Sequence, residues 1–195
     1  YTEWSWSLRK TMNIICYYTP EYRKDAKLLK ETMDIVGLDT SHVEERDSLG
    51  SWEKNCQAKA NFILEKLEEL KEPVVWVDAD ARIMQKPRLF EDLGDTDFAA
   101  HWGRWLMSGT LYFGNTMGAK ALLKTWIEMQ EDPEEMRWDQ KILEEIIDTI
   151  GSKLKIVKLP VTYCQKFDDR TLSLEDAVIL HTQASRRLKK EINGE

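Results

Sequence analysis

The chain has 195 residues, 42% hydrophobic and 32% charged, a balance that suits one globular domain with a sizeable core and would crowd two. Lysine and arginine number 28 against 35 aspartates and glutamates, a net charge of −7, which excludes a generally basic nucleic-acid binder while allowing a local basic patch. No apolar run approaches the roughly 20 residues that cross a bilayer. The N-terminal residues also lack the apolar stretch of a signal peptide, so a soluble, cytoplasmic protein is expected.

Residues 1–11 show no clear periodicity ahead of Met12 and read as an extension or a remnant of expression, with the domain over 12–190 and a tail at 191–195. Asn13-Ile-Ile-Cys-Tyr-Tyr18, closed by Thr19-Pro20, has the profile of a buried strand ending in a turn. Between 22 and 36 the apolar residues Ala26, Leu28, Leu29, Met33 and Val36 fall at helical spacing, and Gly37 supplies the stop. A brief strand is expected at 41–45, a loop at 47–51 and a helix over 52–70. Pro73 then releases the chain into Val74-Val-Trp-Val77, a continuous apolar run of the kind buried on both faces of a sheet.

Strand, helix, strand, helix, strand predicts an α/β fold with a largely parallel sheet and right-handed crossovers. The second half adds strands at 98–101 and 110–113, helices at 118–130 and 139–150, and strands at 155–159 and 177–181. A basic segment, Arg186-Arg-Leu-Lys-Lys190, follows the last strand directly. Cys16, Cys56 and Cys164 are odd in number and widely spaced, which suggests neither a disulfide framework nor a zinc pattern, and they read as ordinary reduced thiols.

The sharpest chemical feature is Val74-Val-Trp-Val-Asp-Ala-Asp80, where a buried strand delivers Asp78 and Asp80 at its C-terminal end. Ligands bind at that edge of open α/β sheets. Residues two apart on an extended chain point the same way, so both carboxylates can face one ligand, and such oxygen-rich pairs suit Mg²⁺ or Mn²⁺. Two solvated carboxylates at a strand end are the plain alternative.

Val75-Trp-Val-Asp-Ala-Asp-Ala81, Ser108-Gly-Thr-Leu-Tyr-Phe113, Trp138-Asp-Gln140 and Ile179-Leu-His-Thr-Gln-Ala-Ser-Arg-Arg187 stand in the order and spacing of the motifs of nucleotide-diphospho-sugar glycosyltransferases of the GT-A fold. The sequence resembles that family from about Met12 to Lys190. The resemblance implies a single Rossmann-like GT-A domain with a central, mostly parallel mixed sheet flanked by helices. It also implies a metal-dependent enzyme that moves a sugar from a nucleoside-diphosphate sugar, uridine-based, to an acceptor hydroxyl.

On this resemblance Asp78, Ala79 and Asp80 would contact the donor, and Asp78 and Asp80 would bind a divalent ion, with His181 as third ligand; imidazole suits Mn²⁺ better than Mg²⁺. Arg186, Arg187 and Lys189 would neutralise the leaving diphosphate, and Lys59 would contact the donor from its helix. Tyr18, Thr19 and Tyr22 would hold the base and ribose, while Ser108, Gly109 and Thr110 would let backbone approach the donor sugar. Asp139 and Gln140 resemble the pair beside the sugar's reactive carbon in anomer-retaining families, which favours retention; Asp139 also suits a helix N-cap. Trp102 and Trp105 could wall a sugar or an acceptor or belong to the core, where Trp76 and Trp126 are expected. The acceptor stays open among a glycan, a protein and a modified nucleic-acid base in a microbial or viral cell.

A haloacid-dehalogenase-type phosphatase also ends an apolar strand in Asp-x-Asp, but it places Thr two residues after the second Asp, where Arg82 stands here. Asp168 and Asp169 would supply its later acidic motif. A non-catalytic nucleotide-sugar-binding domain is the other alternative, and retention of Asp78, Asp80 and His181 together argues against it.

Overall fold

The computed structural model describes residues 12–131 and 137–193, so the expected extension at 1–11 lies outside the described residues. Strand β1 (Asn13–Tyr18) leads through a short 3₁₀ turn to helix α1 (Arg23–Ile35) and strand β2 (Val43–Glu45). Helix α1 stops at Gly37, whose φ of 71° permits the Schellman closure in which Leu38 N–H bonds the Met33 carbonyl at 3.0 Å. The helical stretch at 52–70 is two helices, α2 (Trp52–Gln57) and α3 (Lys59–Leu70), rather than the single helix expected. At the junction the Asn55 carbonyl accepts the Tyr17 hydroxyl, and Ala58 tightens to ψ −11°. Two helical segments meeting there set Lys59 on the buried side.

Strand β3 (Val74–Val77) is buried along its whole length, as its apolar run predicts. Its alternation sends Val75 and Val77 to one core, with Ile14, Cys16 and the α1 residues Ala26, Leu29 and Met33. Val74 and Trp76 go to a second core with Ile15, Ile63, Leu67 and Trp126. The sheet is therefore covered on both faces, with α1 on one side and α3 and helices α4 (Met117–Gln130) and α5 (Asp139–Ile150) on the other.

After β3 the chain turns through 78–81 and enters strand β4 (Ala81–Ile83), which carries no pattern in the sequence. Strands β5 (Phe98–Trp102) and β6 (Leu106–Phe113) form a hairpin. Ser108, Gly109 and Thr110 thus lie inside a strand, not in a turn leading into one. The connection between β5 and β6 is only residues 103–105, shorter than the gap between the strands expected at 98–101 and 110–113. Strand β7 (Ile156–Lys158) completes a six-stranded sheet of order β2-β1-β3-β6-β5-β7, in which β6 alone runs against the rest. A second sheet of order β4-β9-β8 contains the short strands β8 (Gln165–Lys166) and β9 (Ile179–His181). The basic segment is helix α6 (Ser185–Asn193), so 191–193 continue a helix rather than forming a tail.

At the edge remote from the end of β3, the buried Asp97 carboxylate accepts Thr116 Oγ1 at 2.5 Å and Lys155 N–H at 2.7 Å. It thereby ties the start of α4 to the approach to β7. Asp97→Ala leaves the Lys155 amide without that acceptor and is expected to lower stability by about 1–3 kcal/mol. Urea unfolding measures this, and an unchanged midpoint would show the clamp to be idle.

Candidate active site

Strands β1 and β3 end side by side, and the C-terminal edge of the sheet opens into a cleft of about 300 Å³. Loops at 18–22 and 78–80, the middle of β6, the ends of β8 and β9, and the first residues of α3 and α5 line it. This is the crevice that parallel strands leave at their carboxyl ends.

Asp78 is fixed by its backbone, whose N–H bonds the Gly109 carbonyl on β6 at 2.9 Å. Its Oδ1 accepts the Trp76 indole N–H at 2.8 Å and lies 3.1 Å from Lys59 Nζ. Trp76 is core, as expected, yet its polar edge serves the site, a role for which a buried Trp in a strand gives no sequence signal. Asp80 is buried: Oδ2 accepts the Ala184 N–H at 2.8 Å and Oδ1 faces His181 Nδ1 at 3.3 Å. The Asp80 carbonyl also accepts the N–H and hydroxyl of Thr182, at 3.2 and 3.1 Å.

His181, buried at the end of β9, has its Nε2 2.9 Å from Thr110 Oγ1. Its ring fills the space over Gly109, where an added Cβ would lie 2.9 Å from His181 Cε1. The role expected for Gly109 was clearance for a sugar; the neighbour for which it makes room is His181. Burial disfavours charge on this imidazole, yet Cys164 and Asp80 beside it hold its pKa well above the ordinary value. Burial likewise disfavours the Asp80 carboxylate, and the His181 and Ala184 contacts outweigh it, keeping its pKa below the usual range. Asp78, Asp80 and His181 offer ligand atoms within 4.8 Å of one another, close enough to meet on one cation. Two carboxylates and an imidazole form a donor set that fits a divalent ion such as Mn²⁺.

Lys59 is buried among opposite charges, 2.6 Å from Asp139 Oδ2 and 3.1 Å from Asp78 Oδ1, and it donates to the Ser108 carbonyl at 3.3 Å. Burial alone would depress its pKa; Asp139 and Asp78 more than reverse that and keep the ammonium charged. Asp139 is not the N-cap of α5. Trp138 holds that position without a side-chain cap, and the Asp139 carboxylate faces Lys59 instead.

Tyr18, Thr19, Tyr22, Lys59, Ala79, Ser108 and Gln140 all line the cleft, and Thr19 Oγ1 is buried there without a hydrogen-bond partner among the described residues. Arg186, Arg187 and Lys189 do not. They pair with Asp168 at 2.5 Å, Asp25 at 3.0 Å and Glu53 at 2.7 Å, while α6 presents Ser185 and Ile192 to the cleft. Trp105, 50% exposed, lines the cleft, whereas Trp102 packs edge-on against Phe98. The thiols are unpaired, and burial pushes those of Cys16 and Cys56 well above the ordinary range. Trp52, Asn55, Cys164 and Lys166 also line the cleft and belong to no motif in the sequence.

No family model matches the chain, and no curated protein matches it either. Solved structures do. A glycosyltransferase involved in glycosylation of the major capsid of PBCV-1 is 17% identical, with 93% of this chain and 98% of that one covered and a TM-score of 0.67. The glycosyltransferase GlyE of Streptococcus pneumoniae TIGR4 is 16% identical with a TM-score of 0.64, over 88% of this chain and 54% of that one, so the chain spans about half its length. The galactosyltransferase LgtC, solved with donor and acceptor sugar analogues, is 12% identical with a TM-score of 0.53, over 94% and 95% of the two chains. The chain has the fold of the GT-A glycosyltransferases, and Asp78, Asp80 and His181 stand together at the carboxyl edge of its sheet.

Because no side chain fits between residue 109 and the His181 ring, Gly109→Ala is expected to turn His181 away from Asp80 and weaken Mn²⁺ binding by roughly tenfold, about 1.4 kcal/mol. Calorimetric titration with Mn²⁺ reads this directly, and wild-type affinity in a folded variant would remove His181 from the cation site.

Proposed function

We propose that the protein is a metal-dependent glycosyltransferase that takes its sugar from a nucleoside-diphosphate sugar, uridine-based, and passes it to an acceptor hydroxyl. The observation that carries this reading is the convergence of Asp78, Asp80 and His181 in the cleft of a GT-A fold. These three residues would hold the divalent ion. When bound, it would neutralise charge on the donor's diphosphate, for which Mn²⁺ suits the donor set and Mg²⁺ is the alternative.

The chain's own residues supply the rest. Tyr18, Thr19 and Tyr22, where β1 ends, are assigned to the base and ribose, and the unpartnered Thr19 hydroxyl supports a polar ligand there. Ser108 and Gln140 are assigned to the sugar. Lys59 orients Asp139 and Asp78 rather than reaching freely for the donor. Asp139 beside the cleft stabilises positive charge that develops on the sugar's anomeric carbon.

The same geometry favours retention of the anomeric configuration. An inverting enzyme needs a free carboxylate to take the acceptor's proton. Among the described residues the cleft carboxylates are Asp78, Asp80 and Asp139. The first two belong to the cation set, and Asp139 is ion-paired with Lys59 at 2.6 Å, so none of the three stands free to face an acceptor. The phosphatase alternative gains no support, because neither Asp168 nor Asp169 lines the cleft. No helix among the described residues is long and apolar enough to cross a membrane.

Thermal unfolding with a panel of nucleoside diphosphates, each with and without Mn²⁺, tests the donor reading. A ligand at 100 times its Kd stabilises by about 2.7 kcal/mol, so UDP with Mn²⁺ should raise Tm by roughly 5–10 °C, and Asp80→Asn should abolish the shift. The absence of any nucleotide-dependent shift would refute the reading.

Asp139→Asn separates catalysis from structure. It should retain UDP–Mn²⁺ binding and lose donor-sugar turnover, measured as hydrolysis of the donor. Tm should fall as well, because breaking a buried ion pair costs on the order of 3–5 kcal/mol, reduced here by the second partner Asp78. Undiminished turnover would leave Asp139 a purely structural partner of Lys59.

A further inference from the structure

A nucleoside diphosphate carries multiple negative charges, and Asp78, Asp80 and Asp139 already make the cleft wall acidic. A divalent ion cancels part of this charge, so a diphosphate seated there still calls for a fixed cation of the protein. Among the described residues that line the cleft, apart from His181 of the cation set, the basic side chains are Lys59 and Lys166.

Lys59 is fully committed. Its ammonium is ion-paired with both Asp139 and Asp78 and donates to the Ser108 carbonyl. Arg186, Arg187 and Lys189 of α6 are committed elsewhere, to Asp168, Asp25 and Glu53. Lys166 differs from these: half-buried at the cleft, it forms no ion pair with any described residue, and the nearby carboxylates of Asp168 and Asp169 feel its charge only beyond ion-pair distance.

Strand pairing fixes where it stands. β8 runs parallel to β9 with Lys166 in register with His181, and the Phe167 N–H bonds the His181 carbonyl at 3.0 Å. Residues in register on neighbouring strands rise from the same face of a sheet, so Lys166 and His181 project together into the cleft that both line.

We propose that Lys166 is the protein's diphosphate-binding cation, an unpaired ammonium that contacts the phosphate oxygens of the nucleoside-diphosphate ligand beside His181. The proposal rests on the donor reading above and gives Lys166 the role that the family resemblance implies for Arg186, Arg187 and Lys189. No short motif marks it, because a two-residue strand carries no periodicity.

Calorimetric titration of UDP in the presence of Mn²⁺ compares the wild type with Lys166→Met and Lys166→Arg. Lys166→Met should bind UDP at least tenfold more weakly while uridine binding is unchanged, and Lys166→Arg should restore most of the loss. Wild-type binding of UDP that Lys166→Met leaves intact, with the loss appearing in Arg187→Met, overturns the proposal and returns the role to α6. Failure of the wild type to bind any nucleoside diphosphate overturns the donor reading along with it.

A second measurement needs no variant. Acetylation of the wild type by acetic anhydride, read residue by residue by mass spectrometry, should be blocked at Lys166 by UDP and Mn²⁺ but unaffected at the exposed Lys27. Equal acetylation of Lys166 with and without UDP overturns the proposal.

Discussion

The buried Lys59 ammonium is the interaction on which the site depends. Lys59 opens α3, Asp139 opens α5 and Asp78 ends β3, so one side chain joins two helices of one layer to the functional end of the sheet. A lysine taken out of water is unfavourable unless opposite charge surrounds it. Here two carboxylates and a backbone carbonyl meet it, and the indole of Trp76 lies beneath at 5.2 Å. Removing any one partner leaves charge stranded, so the network holds each carboxylate in a single position more firmly than packing alone would. Preorganisation of that kind is what an electrostatic site needs before its ligand arrives.

Asp80 does for the second sheet what Lys59 does for the helices. Its carboxylate and carbonyl take bonds from Ala184 and from both donors of Thr182, while His181 lies against it. The end of β9 and the start of α6 are thereby fastened to the turn that follows β3. Asp78 and Asp80 are two residues apart, yet they answer to different parts of the molecule: Asp78 to the α3–α5 layer, Asp80 to the β4-β9-β8 sheet. The cleft exists where those two attachments meet.

This division explains what the sequence made legible. Val74-Val-Trp-Val77 announces a buried strand because all four side chains enter one core or the other, and Gly37 announces the end of α1 because a positive φ is needed there. Asp78, Asp80 and His181 were visible as metal-type residues at strand ends, and the fold brings them together. Local patterns carry less where contacts are long-range. Asp139 at the start of a helix reads as a cap, but a partner 80 positions earlier in the chain claims its carboxylate. Arg186, Arg187 and Lys189 read as one basic cluster, although helical geometry spreads them to three separate acidic partners. β4 and β8 are too short for alternation to show, so Lys166 had no element to place it.

The electrostatics of the cleft follow from the same accounting. The chain is acidic overall, at −7, and among the described residues its cleft holds three carboxylates against two lysines, one of them neutralised by its neighbours. Such a cleft repels a bare diphosphate and attracts a divalent ion first; only the pair of them together is electrically acceptable. On the proposed donor reading, a site of this composition would couple nucleotide affinity to cation concentration, whatever sugar or acceptor is involved. The coupling is reciprocal: a nucleotide that binds better with the ion must strengthen the ion's binding by the same factor. On that reading the residues that would set its size are Lys166 on one wall and the ion-paired Lys59 on the other, because the first would add attraction for phosphate directly while the second only fixes the carboxylates that would hold the ion.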